Sequence, residues 1–286
     1  MKTISYSLFG DGSERPKNCF EFETYLRGLM INVRMDRLLY PDWYIHLALD
    51  EATYQGEYKP LFDALSVLAI KVSIHPNDKP LCEKMLWRMF PVFIKDGHGT
   101  KINSHVICRD LDSVATYREV QAVEEWIAED KTIHCITDSI SHTIPMLGGM
   151  IGVIPRYLTE RIGVNDWKDF QKLYTGFNMH KKGADQDFLN RIVYPKCADS
   201  ATEHFVKGMI WNLAEGNGRH YRIDEGYPTT LHPDLKQSNQ VCGHIGSAGY
   251  YEMELMRFLN QFDVHKEDYQ KLESQYSEVF HWARGK

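Results

Sequence analysis

Short apolar runs alternate with longer stretches of helical spacing along the first part of the chain. Residues 3–9 (Thr-Ile-Ser-Tyr-Ser-Leu-Phe) are β-prone and end at Gly10-Asp11-Gly12, a turn signal. Over residues 19–39, Phe22, Leu26, Leu29, Met30, Val33 and Leu38 recur at the spacing of one helix face, and Pro41-Asp42 stops the run. Strands are expected at 43–49 (closed by Asp50), 67–74 (closed by His75-Pro76), 102–108 and 132–136. Helices are expected at 81–90, stopped by Pro91, and at 117–129.

Strands alternating with helices imply βαβ units and a mainly parallel sheet covered on both faces. Such sheets bind ligands beyond the carboxyl ends of their strands. Polar clusters fall at those ends: Gly10-Asp11, Asp50, and Arg109 to Asp112. After a last strand-like run at 146–154, helices are expected at 167–174, 186–193 and 202–213. Residues 216–247 are rich in Gly, Pro, Asn and His and read as a long loop, a candidate lid. Two closing helices follow, at 250–262 and 266–282. Without repeat or linker, the chain reads as one α/β domain over 1–286, with a loop-rich C-terminal half.

Composition narrows the class. The chain has 286 residues, 43% hydrophobic and 25% charged, as in ordinary globular proteins. A net charge of -6, with the 33 basic residues scattered, argues against a nucleic-acid partner, which would need a basic footprint. A nucleotide remains compatible, because a bound cation can neutralise its diphosphate. The six cysteines contain no C-x-x-C pair, and Cys108 and Cys135 lie in apolar strands, so reduced, buried thiols are expected. No window supplies the ~20 apolar residues of a membrane span. A cytoplasmic protein is expected.

The first chemical signal is Asp110-x-Asp112 at the end of an apolar strand (Val106-Ile107-Cys108). Residues two apart on an extended chain point to one side, so both carboxylates can face one cation. Mg²⁺ and Mn²⁺ take one or two carboxylates together with substrate phosphates. The spacing recurs at Asp185-x-Asp187, so position favours the first copy, with a solvated turn as the alternative. P-loop, nucleophile-elbow and zincin signatures are missing.

Further motifs surround that pair. Arg109-Asp110-Leu111-Asp112-Ser113, Asp138, His142 and Gly148-Gly149-Met150-Ile151-Gly152 together resemble GT-A-fold glycosyltransferases of polysaccharide-synthesis loci and large algal viruses. Gly183-Ala184-Asp185-Gln186-Asp187-Phe188-Leu189-Asn190 looks like the Asp-Gln-Asp-x-Leu-Asn motif of glycosyltransferase family 8, whose members retain anomeric configuration and use UDP-galactose or UDP-glucose. Cys242-Gly243-His244-Ile245-Gly246 is similar to that family's His-x-x-Gly segment, without the Lys-Pro-Trp that usually follows. The motifs occur in the family's order and span roughly residues 3 to 250.

The resemblance implies a GT-A sheet with a nucleotide-binding half (1–140) and a donor-sugar and acceptor half (141–286). It implies that Asp110, Asp112 and His244 hold Mn²⁺ or Mg²⁺, and that Ser7, Leu8 and Phe9 cradle the uracil of a UDP-sugar. Arg88 and Arg109 become candidates for the diphosphate, since a guanidinium can fork onto phosphate oxygens. Asp138 would hold sugar hydroxyls, Gly148 and Gly149 would let the backbone approach the sugar, and Asp185 and Gln186 would sit beside the anomeric carbon. Each residue also has a plainer role open to it. Asp185 is suited to cap the following helix, Gly148-Gly149 to form a turn, Arg88 to cover apolar surface, and Trp43-Tyr44 to fill the core. The expected activity is transfer of a hexose, galactose before glucose, to a glycan hydroxyl with retention. A sugar-nucleotide nucleotidyltransferase and a non-catalytic glycan-binding domain are the alternatives.

Overall fold

The computed structural model describes residues 1–10, 22–67, 70–113, 115, 117–137 and 144–205. The chain opens with β1 (Lys2–Leu8), α1 (Phe22–Leu39), β2 (Tyr44–Asp50), α2 (Glu51–Gln55), α3 (Lys59–Val67) and β3 (Ile70–His75). Next come α4 (Leu81–Leu86), a 3₁₀ segment (Trp87–Phe93), β4 (His105–Arg109), α5 (Tyr117–Glu129), β5 (Ile133–Thr137) and β6 (Met150–Val153). Helices α6 (Pro155–Ile162), α7 (Trp167–Leu173), α8 (Ala184–Phe188), a π turn (Leu189–Val193), α9 (Tyr194–Cys197) and β7 (Ala201–Phe205) complete it. Residues 206–286, and with them the loop and closing helices expected there, lie outside the described residues.

Among the described residues the strands form one seven-stranded sheet in the order β3-β2-β1-β4-β6-β5-β7. The β1–β2, β2–β3, β1–β4 and β5–β7 pairs are parallel, and β6 runs antiparallel to both β4 and β5. The sheet is mainly parallel, as the alternation of elements implied, and β6 makes it the mixed sheet of the GT-A expectation. On one face Ile4, Tyr6, Leu8, Leu47 and Ile107 pack against α1, α3 and α5. On the other, Val106, Cys108, Cys135 and Ile151 pack against α4, its 3₁₀ extension and α6 to α9. Each fully buried aliphatic side chain contributes roughly 1.5–3 kcal/mol, so these two layers hold the sheet. Cys82, Cys108, Cys135 and Cys197 are buried free thiols, as expected for Cys108 and Cys135.

Several differences from the sequence pattern have physical causes. The helix expected at 81–90 is α-helical only to Leu86 and tightens into the 3₁₀ segment, which contains Pro91 with no N–H to donate. The helix expected from Thr202 begins instead as a strand, because Ala201–Phe205 pair in parallel with β5 and bury Thr202 and His204. Trp43 is buried, but Tyr44 is turned outward beneath the Lys71 ammonium, so only half of that pair is core. Among the described residues no helix is long and apolar enough to cross a membrane.

Candidate active site

From β1 the chain passes to β2 and β3 on one side, then returns to place β4 on the other. This reversal opens a crevice at the carboxyl ends of β1 and β4, where α/β sheets bind ligands. Ser7, Leu8 and Phe9 reach it from β1, and Asp110 and Leu111 from β4. Tyr25 of α1, with Leu81 and Met85 of α4, forms its apolar walls, and Arg88 its basic floor. The Leu8 side chain belongs to the core, so this residue serves the crevice mainly as strand edge. Phe9 stands edge-on to Trp87 at 6.0 Å between ring centroids.

Strand alternation sorts the residues around Asp110. Cys108 faces the α4 side, where its thiol donates to the Arg88 carbonyl at 3.4 Å. Arg109 points to the opposite face. Its Nε donates to Glu119 Oε1 at 2.7 Å, and Nη1 donates to the carbonyls of Cys108 and Ile151. Tyr40 donates to the same Glu119 oxygen at 3.1 Å, and Tyr6 donates to Asp36 at 2.8 Å nearby. Burial alone would lower the Arg109 pKa, but Glu119 overrides it and holds the guanidinium charged. Arg109 is thus tied to Glu119 beneath the sheet, whereas the expectation had it at a diphosphate.

Arg88 is the arginine that reaches the crevice. It is 4% exposed, its Nε donates to the Met85 carbonyl at 2.7 Å, and its Nη1 pairs with Asp110 Oδ1. Its charge acts on Asp110, Asp112 and Asp185 together. Burial would lower the Arg88 pKa, yet Asp110 and Asp185 bring it above its ordinary value. Burial, reinforced by the Asp110 charge, pushes the Asp112 carboxyl up to about 7. Asp185 is raised by burial and by Asp110, with Arg88 opposing.

The reversed strand β6 brings the two glycines in. Because β6 is antiparallel, its N-terminus lies at the edge where β4 ends, with Arg109 opposite Met150. The preceding turn closes through Met150 N–H to Leu147 O at 2.9 Å. A Cβ on Gly149 would overlap the Asp110 carboxylate, and one on Gly148 would lie 3.2 Å from Asp185 Oδ2. Gly148-Gly149 is therefore a turn, and its lack of side chains is what lets it sit against both carboxylates.

Asp185 is 3% exposed in the first turn of α8. The N-cap position is taken by Gly183 at φ 84°, so Asp185 is free of the capping role open to it. Asp187, the second member of that Asp-x-Asp, is exposed. Gln186 is half-buried, and its carbonyl accepts from Asn190 Nδ2 at 2.8 Å. Asp138 and His244 lie outside the described residues.

Helix α1 supports the Asp110–Asp112 turn from behind. A Cβ on Gly28 would collide with the Leu111 carbonyl, and Asn32 Nδ2 donates to that oxygen at 3.4 Å. The sequence pattern gave Gly28, Tyr25, Leu81 and Met85 no role. An isolated glycine inside an apolar helical stripe was the one available signal for the close contact at Gly28.

As a donor set, Asp110 and Asp112 suit a hard divalent cation. They offer oxygen only, Asp110 is 44% exposed at its side chain, and the Asp112 carboxyl, raised by burial and then by the Asp110 charge, would be drawn back to its anionic form by a bound cation. Among the described residues no group of three or more metal-ligating side chains converges, so further ligands would come from phosphate oxygens, water or the undescribed segment.

No family model matches the chain, and no curated protein matches it. Among solved structures it is similar to S. aureus TarS 1–349, with 12% sequence identity and a TM-score of 0.43 over 100% of this chain and 87% of that chain. The fold and site define an α/β sheet with a carboxylate–arginine cluster at its β1/β4 crevice.

Proposed function

We propose that this protein is a metal-dependent glycosyltransferase, moving a hexose from a UDP-sugar to a hydroxyl of a glycan. The observation that carries the reading is the ion pair of buried Arg88 with Asp110 at the β1/β4 crevice, with Gly148-Gly149 closing against the Asp110 and Asp185 carboxylates. An apolar slot with a cationic floor suits a flat base followed by a diphosphate.

In this reading Tyr25, Leu81 and Met85 cover the base, and the Ser7–Phe9 strand end lies along its edge. Asp110 and Asp112 would hold Mn²⁺ or Mg²⁺, which when bound supplies Lewis-acid neutralisation of the diphosphate. Arg88 donates to the diphosphate oxygens, exchanging its carboxylate partner for a phosphate one. The side-chain-free turn at Gly148-Gly149 leaves room for the sugar beside Asp185. As the bond from the anomeric carbon to the phosphate oxygen breaks, its electron pair stays with UDP. A bond to the acceptor oxygen forms on the same face, and the acceptor proton is released. Asp185 and Gln186 flank the anomeric carbon, with galactose favoured over glucose as the donor sugar.

Incubation with UDP-galactose or UDP-glucose and Mn²⁺, followed by NMR of the released sugar, tests this. The reading expects UDP release and a first-formed product with the donor's anomeric configuration. An inverted product would overturn retention, and no turnover with any UDP-hexose would overturn the activity.

A further inference from the structure

Resting on that reading, we infer that Asn190 is a positioning residue that fixes the distance between Asp185 and the Gly148-Gly149 turn, and so shapes the subsite for the donor sugar.

The Asn190 amide pairs with Met146 as one peptide group pairs with another. Its Oδ1 accepts from the Met146 N–H at 3.0 Å, and its Nδ2 donates to the Met146 carbonyl at 2.8 Å. The same Nδ2 donates to the Gln186 carbonyl at 2.8 Å. One side chain therefore joins helix α8, which carries Asp185 and Gln186, to the irregular segment that leads into the glycine turn. A carboxamide is the group for this task, since it offers a donor pair and an acceptor in one plane.

Both ends of the clamp reach the site. Met146 is fully buried and lies two residues before Gly148. A Cβ on Gly148 would stand 3.2 Å from Asp185 Oδ2, and Gly149 abuts Asp110. Two successive glycines have the widest backbone freedom in the chain and need anchors on either side. Strand β6 anchors one side through the Arg109–Met150 register, and Asn190 anchors the other. The helix widens into a π turn over Leu189–Val193, the segment containing Asn190, and such turns recur at functional sites. The base contacts at Ser7–Phe9 and Tyr25 lie on other elements, and Arg88, though its guanidinium comes close to Gly148, has its own anchor in the Met85 carbonyl.

Calorimetry on wild type, Asn190→Ala and Asn190→Asp with Mn²⁺ separates the two subsites. Free UDP is expected to bind all three within about twofold, whereas UDP-hexose binds the variants roughly tenfold more weakly, the scale of losing a buried hydrogen-bonded pair. Asn190→Asp keeps the acceptor for the Met146 amide but sets an oxygen against two carbonyls, so it fails as Ala does. Equal weakening of UDP and UDP-hexose would show a merely structural role and overturn the inference, as would unchanged binding of both. If neither variant folds, amide exchange of the wild-type protein decides. UDP-hexose slows the Met146 N–H more than UDP does, and equal slowing overturns the inference. Binding of UDP-hexose by wild type with no effect of the variants refutes the clamp alone. No binding of either ligand by wild type refutes the glycosyl-transfer reading and the clamp with it.

Discussion

Gly149 and Asp110 are in such close contact that a Cβ on the glycine would overlap all three carboxylate atoms of the aspartate. Any side chain at 149 must displace the carboxylate assigned to the cation. Because that neighbour is the end of a half-exposed side chain that can swing aside, Gly149→Ala is expected to cost less than about 1 kcal/mol of stability, below the range for overpacking a core. Its Mn²⁺-dependent nucleotide binding should fall by more than about tenfold, a 1.4 kcal/mol effect. Thermal melting and calorimetry on the same sample check both parts. An alanine variant with wild-type affinity would show that Asp110 need not hold its observed position.

Arg88 occupies the charge that a cation would otherwise supply to Asp110. Its replacement should have opposite effects on two ligands. In Arg88→Met, which keeps the apolar stem, Mn²⁺ alone binds as well as in wild type or better. UDP in the presence of Mn²⁺ binds at least about tenfold more weakly, the scale of a charge-assisted hydrogen bond. Parallel titrations with Mn²⁺ and with UDP read the two effects separately. A loss of both would place Arg88 in scaffolding only.

How much of this site the sequence made legible follows from the range of the contacts involved. Strands β1, β2 and β4 were readable because each is a local apolar run ended by a polar cluster. Residues 117–129 were readable as a helix because their stripe is local too, and α5 spans those same residues. Arg109 is, with Arg88, a candidate for the diphosphate on the chemistry of its guanidinium alone, which says nothing of the direction in which it points. Period-two alternation instead sends it through the sheet to Glu119, ten residues further on. The Asn190–Met146 pair spans 44 residues, and although Asn190 closes the Asp-Gln-Asp-x-Leu-Asn motif, nothing local names Met146 as its partner. The antiparallel course of β6, which delivers the glycines to the right edge, is likewise a property of the whole sheet. Helix α6 could have been read, since it runs from Pro155 at its first turn to Gly163 at φ 73° beyond its end.

Gly28 tests the support behind the Asp110–Asp112 turn. Its neighbour is a backbone carbonyl, which cannot swing aside as a side chain could. Gly28→Ala should push α1 away from Leu111 and lower the melting temperature, despite alanine's better helix propensity of about 1 kcal/mol. Metal affinity should fall with it, whereas Gly163→Ala, with open space at that Cβ, should leave metal affinity unchanged. A more stable Gly28→Ala protein would contradict the contact.

Asp36 sets a pH signature far from the reaction. Burial, with Glu119 adding, raises its carboxyl to about 8, and Tyr6 donates to its Oδ2. The folded state thus holds a proton that the unfolded chain releases near the ordinary carboxylate value. Between these two values the folded state binds more protons, so stability falls as pH rises from about 4 to about 8. Asp36→Asn removes this contribution. The variant should match wild type near pH 4 and become progressively more stable than it toward pH 8. Denaturant melts across that window measure the difference, and a gap that shrinks with pH would contradict the assignment.

The central claim is tested most directly by calorimetric titration of a nucleotide-sugar panel, with and without Mn²⁺, into wild type and the Asp110→Ala/Asp112→Ala double variant. The account predicts that a UDP-hexose binds wild type, that Mn²⁺ tightens the binding, and that the double variant loses the Mn²⁺-dependent part. Failure of every UDP-sugar to bind, or binding that survives the double substitution unchanged, would contradict it.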